Sequence, residues 1–299
     1  MNRFIAALAV TSTLVLVQGC SVAPKVEEKP VVSTQQHGNH PMGHEETSAT
    51  PANSHDDHMG DMGHSGQEIV AQAKLTMPNA IALNTPVPLT IDIQDTAGKP
   101  IAKFDTFQEK LMHLIVVSDD LQSFSHLHPE YKNNGRFEVK GNFPKSGGYT
   151  IFSDYKPAGQ REQISVLKAE IPGNSPVTPP VDFNQTKTFG NTQAKLAFSQ
   201  PTLKAGEEVT LMFDLRDTGD KQPIKDLQPY LGERGHLVIV KQSSPLTKDD
   251  YIHAHAVKDT SAGQVHFMTR FPQPGKYKLW GQFNRNGEIV TADFWVNVL

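Results

Sequence analysis

The sequence predicts an all-β protein: two tandem immunoglobulin-like antiparallel β-sandwich domains made by internal duplication, behind a disordered His/Met-rich tail. Three observations predict it. First, the chain repeats itself. "LTIDIQDTAGKPI" (89–101) returns as "LMFDLRDTGDKQPI" (211–224), "MHLIVV" (112–117) as "GHLVIV" (235–240), and "HLH" (126–128) as "HAH" (253–255). "FPKSGGYTIFSDY" (143–155) returns as "FPQPGKYKLWGQF" (271–283), and the offset drifts only from 122 to 128 across the unit. Second, the apolar period inside a copy is two: Leu89, Ile91 and Ile93 alternate with Thr90, Asp92 and Gln94, as half-buried strands require. Third, turn signals such as "TAGKP", "KNNG" and "KSGG" punctuate the chain at short spacing, and no stretch keeps a helical rhythm.

The elements follow in order. Residues 1–19 read as a signal peptide: Arg3 gives a short positive start, and the apolar stretch from Phe4 to Val17 is too short to span a bilayer permanently. The chain's single cysteine, Cys20, then follows in "LVQGC", a stretch that resembles the lipobox of bacterial lipoproteins, with Val17 where leucine is usual. That resemblance implies lipidation at Cys20 and an envelope lipoprotein facing the periplasm or the cell exterior. With one cysteine no internal disulfide can form, and a lipidated thiol cannot serve a blue-copper site. The formal charge of −4 becomes −5 once the leader and its single Arg are gone, which speaks against nucleic acid as a partner.

Residues 20–66 form a tether too poor in large apolar side chains to offset the entropy of ordering it. It carries His37, His40, His44, His55, His58 and His64, interleaved with Met42, Met59 and Met62, as expected of a multidentate chelator. The first sandwich is expected over 67–172, a Pro-rich linker over 173–181, and the second sandwich over 182–299.

Within each sandwich three histidines fall at matched positions. "MHLIVVSDDLQSFSHLHPE" reads as a half-buried strand, a polar turn near Asp120 and Leu121, and a returning strand. Residues i and i+2 of a strand share a face, so His126 and His128 project together, and a hairpin centred there sets His113 opposite His128. The same reasoning pairs His236 with His255 and brings in His253. Each triplet is expected to form its own metal site. Three imidazoles, two of them from a His-x-His strand, is also how carbonic anhydrase holds zinc. His266 has Glu138 as its counterpart and reads as a surface residue.

The segment "MHLIVVSDDLQSFSHLHPEY" resembles one found in secreted bacterial proteins and lipoproteins linked to copper and other heavy metals, most of them uncharacterised. The resemblance covers some twenty residues closely, and implies a periplasmic metal-related role with His113, His126 and His128 as the positions concerned. The second copy departs from it, with Gly235 for Met112 and Ala256-Val257 for Pro129-Glu130. Thioether sulfur favours Cu(I), while imidazole serves Cu(II), Zn(II) and Ni(II), so copper comes first and zinc second. The expected function is non-catalytic capture, buffering or delivery of metal, with a periplasmic copper-handling protein as partner. Two other readings compete: a structural, adhesion or assembly module without metal, and a zinc hydrolase. The hydrolase would need a base such as Glu130, which the second copy lacks, and neither copy has HExxH or a nucleophile elbow.

Overall fold

The computed structural model describes residues 69–175, 177–258 and 260–299, without the side chain of His255, and no α-helix occurs among them. The first copy runs β1 (Ala71–Thr76), β2 (Pro86–Asp95), β3 (Met112–Ser118), β4 (Phe124–Leu127), β5 (Glu130–Tyr131), β6 (Arg136–Asn142), β7 (Gly147–Tyr155) and β8 (Gln163–Ile171). These make two antiparallel sheets, ordered β1-β2-β6-β5 and β4-β3-β7-β8. The second copy runs β9 (Thr186–Phe189), β10 (Thr192–Phe198), β11 (Glu208–Asp217), β12 (Leu227–Gln228), β13 (His236–Lys241), β14 (Tyr251–His255), β15 (Gln264–Arg270), β16 (Gly275–Arg285) and β17 (Glu288–Val298). Its sheets are β15-β11-β10-β9 and β14-β13-β16, with β17 along β16 and the short β12 paired to the end of β16.

Alternation explains how each sandwich closes. Along β2 the side chains of Val87, Leu89, Ile91 and Ile93 are buried while their neighbours stay at least partly exposed, and β11 does the same with Val209, Leu211, Phe213 and Leu215. The "KNNG" turn needs its glycine. Gly135 has φ +76°, and a Cβ there would meet the Ile93 carbonyl oxygen at 2.3 Å. Both "FP" segments end in a tyrosine corner, as immunoglobulin-like sandwiches do. The Tyr149 hydroxyl donates to the Lys145 carbonyl at 2.9 Å, and that of Tyr277 to the Gln273 carbonyl at 2.7 Å.

The strand predicted to be half-buried, β3, is buried along its whole length, on both faces. The second sandwich is the cause. Met112, Leu114 and Val116 fill the core of the first copy, while Ile115 and Val117 point the other way into a third core shared between the copies. That core joins them, with Leu121 and Phe152, to Val238, Val240, Tyr251, Trp280 and Trp295 of the second copy. The β4-β3-β7-β8 sheet therefore packs face to face on the β14-β13-β16-β17 sheet. The Pro-rich segment connects docked halves, and Val181 at its end packs against the shared core.

Candidate metal centre

The registers anticipated for both hairpins are present. Leu114 pairs with Leu127 and Ile115 with His126, which sets His113 opposite His128, and His236 pairs directly with His255. Because Met112, Leu114 and Val116 face the core of their own copy, His113 shares the opposite face with Ile115 and Val117. His236 shares its face with Val238 and Val240 in the same way. His113, His126 and His128 of the first triplet and His236 and His253 of the second therefore meet at the docked face, where the two sites expected to be separate merge into one cluster.

Within the cluster His126 and His236 have ring centroids 4.6 Å apart, His113 and His236 5.7 Å, and His113 and His253 5.7 Å. His128 joins from the first copy, 4.6 Å from His126 and 5.2 Å from His113. One ring nitrogen from each of His113, His126 and His128 lies within 4.8 Å of the others. His113 and His236 are almost wholly inaccessible. Two turns sit beside the cluster: Phe107 packs edge-on to His113 at 4.7 Å, and Tyr230 edge-on to His236 at 6.3 Å. These turns hold Gln108, Glu109 and Leu231 in the left-handed region, with φ +46°, +63° and +55°.

The hydrogen bonds orient the rings. His126 donates through Nδ1 to Gln282 Oε1 at 2.7 Å, and His113 donates through Nε2 to the Phe107 carbonyl at 3.2 Å. In the neutral rings this leaves a lone pair on the other nitrogen of each, and those two nitrogens, His113 Nδ1 and His126 Nε2, are 3.0 Å apart. Two facing lone pairs repel unless a cation stands by them. Ligand nitrogens about 2.0–2.1 Å from a tetrahedral metal ion lie about 3.3 Å from each other. An outer acceptor fixing the far nitrogen is the usual support of a metal-bound imidazole. On the other side His253 Nε2 meets His236 Nε2 at 2.5 Å, His236 Nε2 also meets Gln108 Oε1 at 2.8 Å, and His253 Nδ1 lies 3.3 Å from Asp154 Oδ2. His128 Nε2 and His236 Nδ1 are buried without a hydrogen-bond partner. Buried polar atoms left in this state call for a ligand or an explanation.

Burial sets the electrostatics. It holds the His126 and His236 imidazoles well below their ordinary range, aided by His128 in the first case and His253 in the second, and it brings His128 down to about 4. The rings are therefore neutral at pH 7 and ready to ligate. Burial also pushes the Asp154 carboxyl up to about 7 and the neighbouring Tyr251 hydroxyl well above its usual value.

His113, His126, His128, His236 and His253 are thus brought together, and the side chain of His255 lies outside the described set. Cys20, His37, His40, Met42, His44, His55, His58, Met59, Met62 and His64 lie outside the described residues. His266 is on β15, in the sheet turned away from the cluster. Glu130, the base considered for hydrolysis, is exposed on β5 and pairs with Lys132 at 2.7 Å. Sequence reasoning missed Asp154, Gln282 and Gln108, and also Glu162, which with Asp154 and His253 brings one ligand atom within 4.8 Å of the others. A signal existed for the first two: "IFSDY" aligned with "LWGQF" places one polar residue at the same point of two apolar strands.

Among the described residues no helix is long and apolar enough to cross a membrane. No curated protein matches the chain. Solved structures similar to it include the Escherichia coli adhesin FdeC, at 13% identity over 78% of this chain and 66% of that one, TM-score 0.25. Invasin, a bacterial integrin-binding protein, is 12% identical over 77% of this chain and 39% of its own, TM-score 0.24. A two-domain fibronectin type III segment of chicken tenascin is 14% identical over 76% of this chain and 98% of its own, TM-score 0.22. The chain spans less than two thirds of the FdeC and invasin chains, and TM-scores this low carry over nothing of what those proteins do. The family described as domain of unknown function DUF8832 matches residues 68–169 and 187–299, most of the chain. The chain therefore belongs to the DUF8832 family.

Proposed function

We propose that this protein is a non-catalytic, transition-metal-binding lipoprotein of the bacterial envelope, which holds a metal ion between its two repeats for capture, buffering or delivery. One observation carries the reading: His113 Nδ1 and His126 Nε2 face each other at 3.0 Å, each ring fixed from behind by an acceptor. His128 completes a three-nitrogen set, and His236 and His253 close in from the second repeat. An all-imidazole set suits Cu(II) and Zn(II), and the His/Met tether adds affinity for Cu(I), so copper is the leading cargo. The resemblance of the His113–His128 segment to metal-linked envelope proteins supports the same reading, with Cys20 as the lipid anchor.

The test is titration with Cu(II) and Zn(II) of two soluble forms, one with residues 21–66 and one without. The tail-free form should bind tightly, and His126→Ala with His128→Ala should abolish that binding. A tail-free form with no affinity would leave the triplets structural and the metal chemistry to the tail alone.

A further inference from the structure

The approximate two-fold relation between the repeats makes one difference conspicuous. In β7, Asp154 lies opposite His113, and in β16, Gln282 lies opposite His236. Each reaches across the docked face to the histidine of the other repeat's returning strand, Gln282 to His126 and Asp154 to His253. The positions correspond, but only one carries a carboxylate. A second carboxylate is added on the same side. Glu162 immediately precedes Gln163, which pairs with Tyr155, whereas the matching residue before Val290, the partner of Phe283, is the apolar Ile289. Asp154, Glu162 and His253 each bring one ligand atom within 4.8 Å of the others.

We propose that Asp154, Glu162 and His253 form a second divalent-cation position beside the all-histidine one, so that the docked face holds two metal ions. The inference rests on the metal-binding reading above and extends it. The Asp154 side chain is wholly inaccessible and that of His253 nearly so, and the polar neighbours of Asp154 across the interface include that imidazole and the Tyr251 hydroxyl, which donates to Oδ2 at 3.4 Å. A buried carboxyl is costly to ionise unless it is paired or coordinates a metal, and a bound cation would hold Asp154 in its ionised form. His236, 2% exposed, packs behind that imidazole, its Nε2 2.5 Å from His253 Nε2, so that His253 links the two positions. The two positions differ in chemistry. Two carboxylates with imidazole make a harder set than three imidazoles, suited to Zn(II) or Mn(II) more than to copper. They differ in origin too. Asp154 and Glu162 come from the first repeat and His253 from the second, so this position exists only while the repeats are docked.

The test is the number of Zn(II) ions retained by the full chain after equilibrium dialysis, read by elemental analysis. The tail contributes equally to every variant, so differences report on the folded body. Asp154→Asn with Glu162→Gln should lose one ion relative to wild type, His126→Ala with His128→Ala should lose a different one, and the combined variant should lose two. The fold should accept Asp154→Asn, since the corresponding position already holds the amide of Gln282. Glu162→Gln alone, at an exposed residue, guards against misfolding. It should weaken one of the two equivalents by tenfold or more with an unchanged circular dichroism spectrum. Retention of the wild-type count by the carboxylate variant would overturn the second position, and so would the loss of both ions together. Retention by the histidine variant would instead overturn the histidine site.

Discussion

Phe124 of the first repeat stacks on Trp280 of the second at 4.7 Å, and the corresponding residues, Tyr251 and Phe152, stack on each other at 4.9 Å with the repeats exchanged. Residue i of one copy meets j of the other while j meets i, the signature of an isologous two-fold contact. His126 with Gln282 and His253 with Asp154 obey the same exchange. The duplicated chain is thus built like a symmetric dimer whose halves have been joined by a linker and have then diverged at the site between them.

If the docked face is self-complementary, residues 67–175 expressed alone should pair with themselves through it. Light scattering after gel filtration should give a dimer, and Phe152→Glu should return the fragment to a monomer by burying a charge in the shared core. A monomeric wild-type fragment would show that the divergence of the two faces has removed their self-complementarity.

In the whole chain the shared core should couple the repeats. Trp280 is 4% exposed and packs against Phe124, so Trp280→Ala should cost about 3–5 kcal/mol. Denaturant unfolding followed at several wavelengths should still show one transition for both repeats. Two separated transitions in wild type would mean that the interface contributes little.

How much of this was legible in the sequence depends on what each signal encodes. Period-two alternation in 89–93 and the repeated turns encode local burial and chain reversal, and they gave the strands and the duplication. The hairpin registers followed from the same pattern because a one-residue slip would turn Leu114 and Leu127 out of the core. Docking was written less plainly, although "MHLIVV" and "GHLVIV" carried it. An unbroken apolar run marks a strand covered on both faces, and His113 in its midst is then a buried polar group in need of a partner. What alternation could not supply was the identity of the covering layer. The two triplets were read as separate sites for that reason, and Asp154 and Glu162 were not seen. Asp154 gains meaning only from His253, ninety-nine residues away in sequence.

Gln282 should tune the metal without touching it. Its Oε1 accepts the His126 Nδ1 proton and so keeps Nε2 free to ligate. Gln282→Leu removes that acceptor, and outer-sphere changes of this kind weaken metal affinity about 10–100-fold. Competition titration against a chromophoric chelator measures it. An unchanged affinity would mean that His126 is not a ligand.

The anchor is tested separately from the metal. A lipid chain needs the Cys20 thiol, so Cys20→Ala should move the protein from the membrane fraction to the soluble one while leaving the binding by the folded body unaltered. A variant that still fractionates with membranes would contradict the lipoprotein reading.

The final prediction concerns the metal-free protein in acid. Burial places His128 at about 4 and His126 and His236 well below their ordinary range, whereas in the unfolded chain all three titrate near about 6.5. Between those limits the unfolded state binds more protons, so the stability contributed by these rings is present above about 6.5 and is lost as pH falls toward 4. Asp154 acts oppositely. Its folded value of about 7 exceeds its unfolded one, near about 3.9, so its contribution is present below the lower value and is lost as pH rises toward 7. Three histidines against one carboxyl leave a net loss on acidification from 6.5 to 4. Melting temperatures of the metal-free protein should fall across that window, the fall should be shallower in His236→Gln and steeper in Asp154→Asn. Bound metal should also survive below pH 6.5, where exposed histidines are already protonated. A flat melting profile with release of metal centred at 6.5 would mean that the rings are open to water and the repeats undocked.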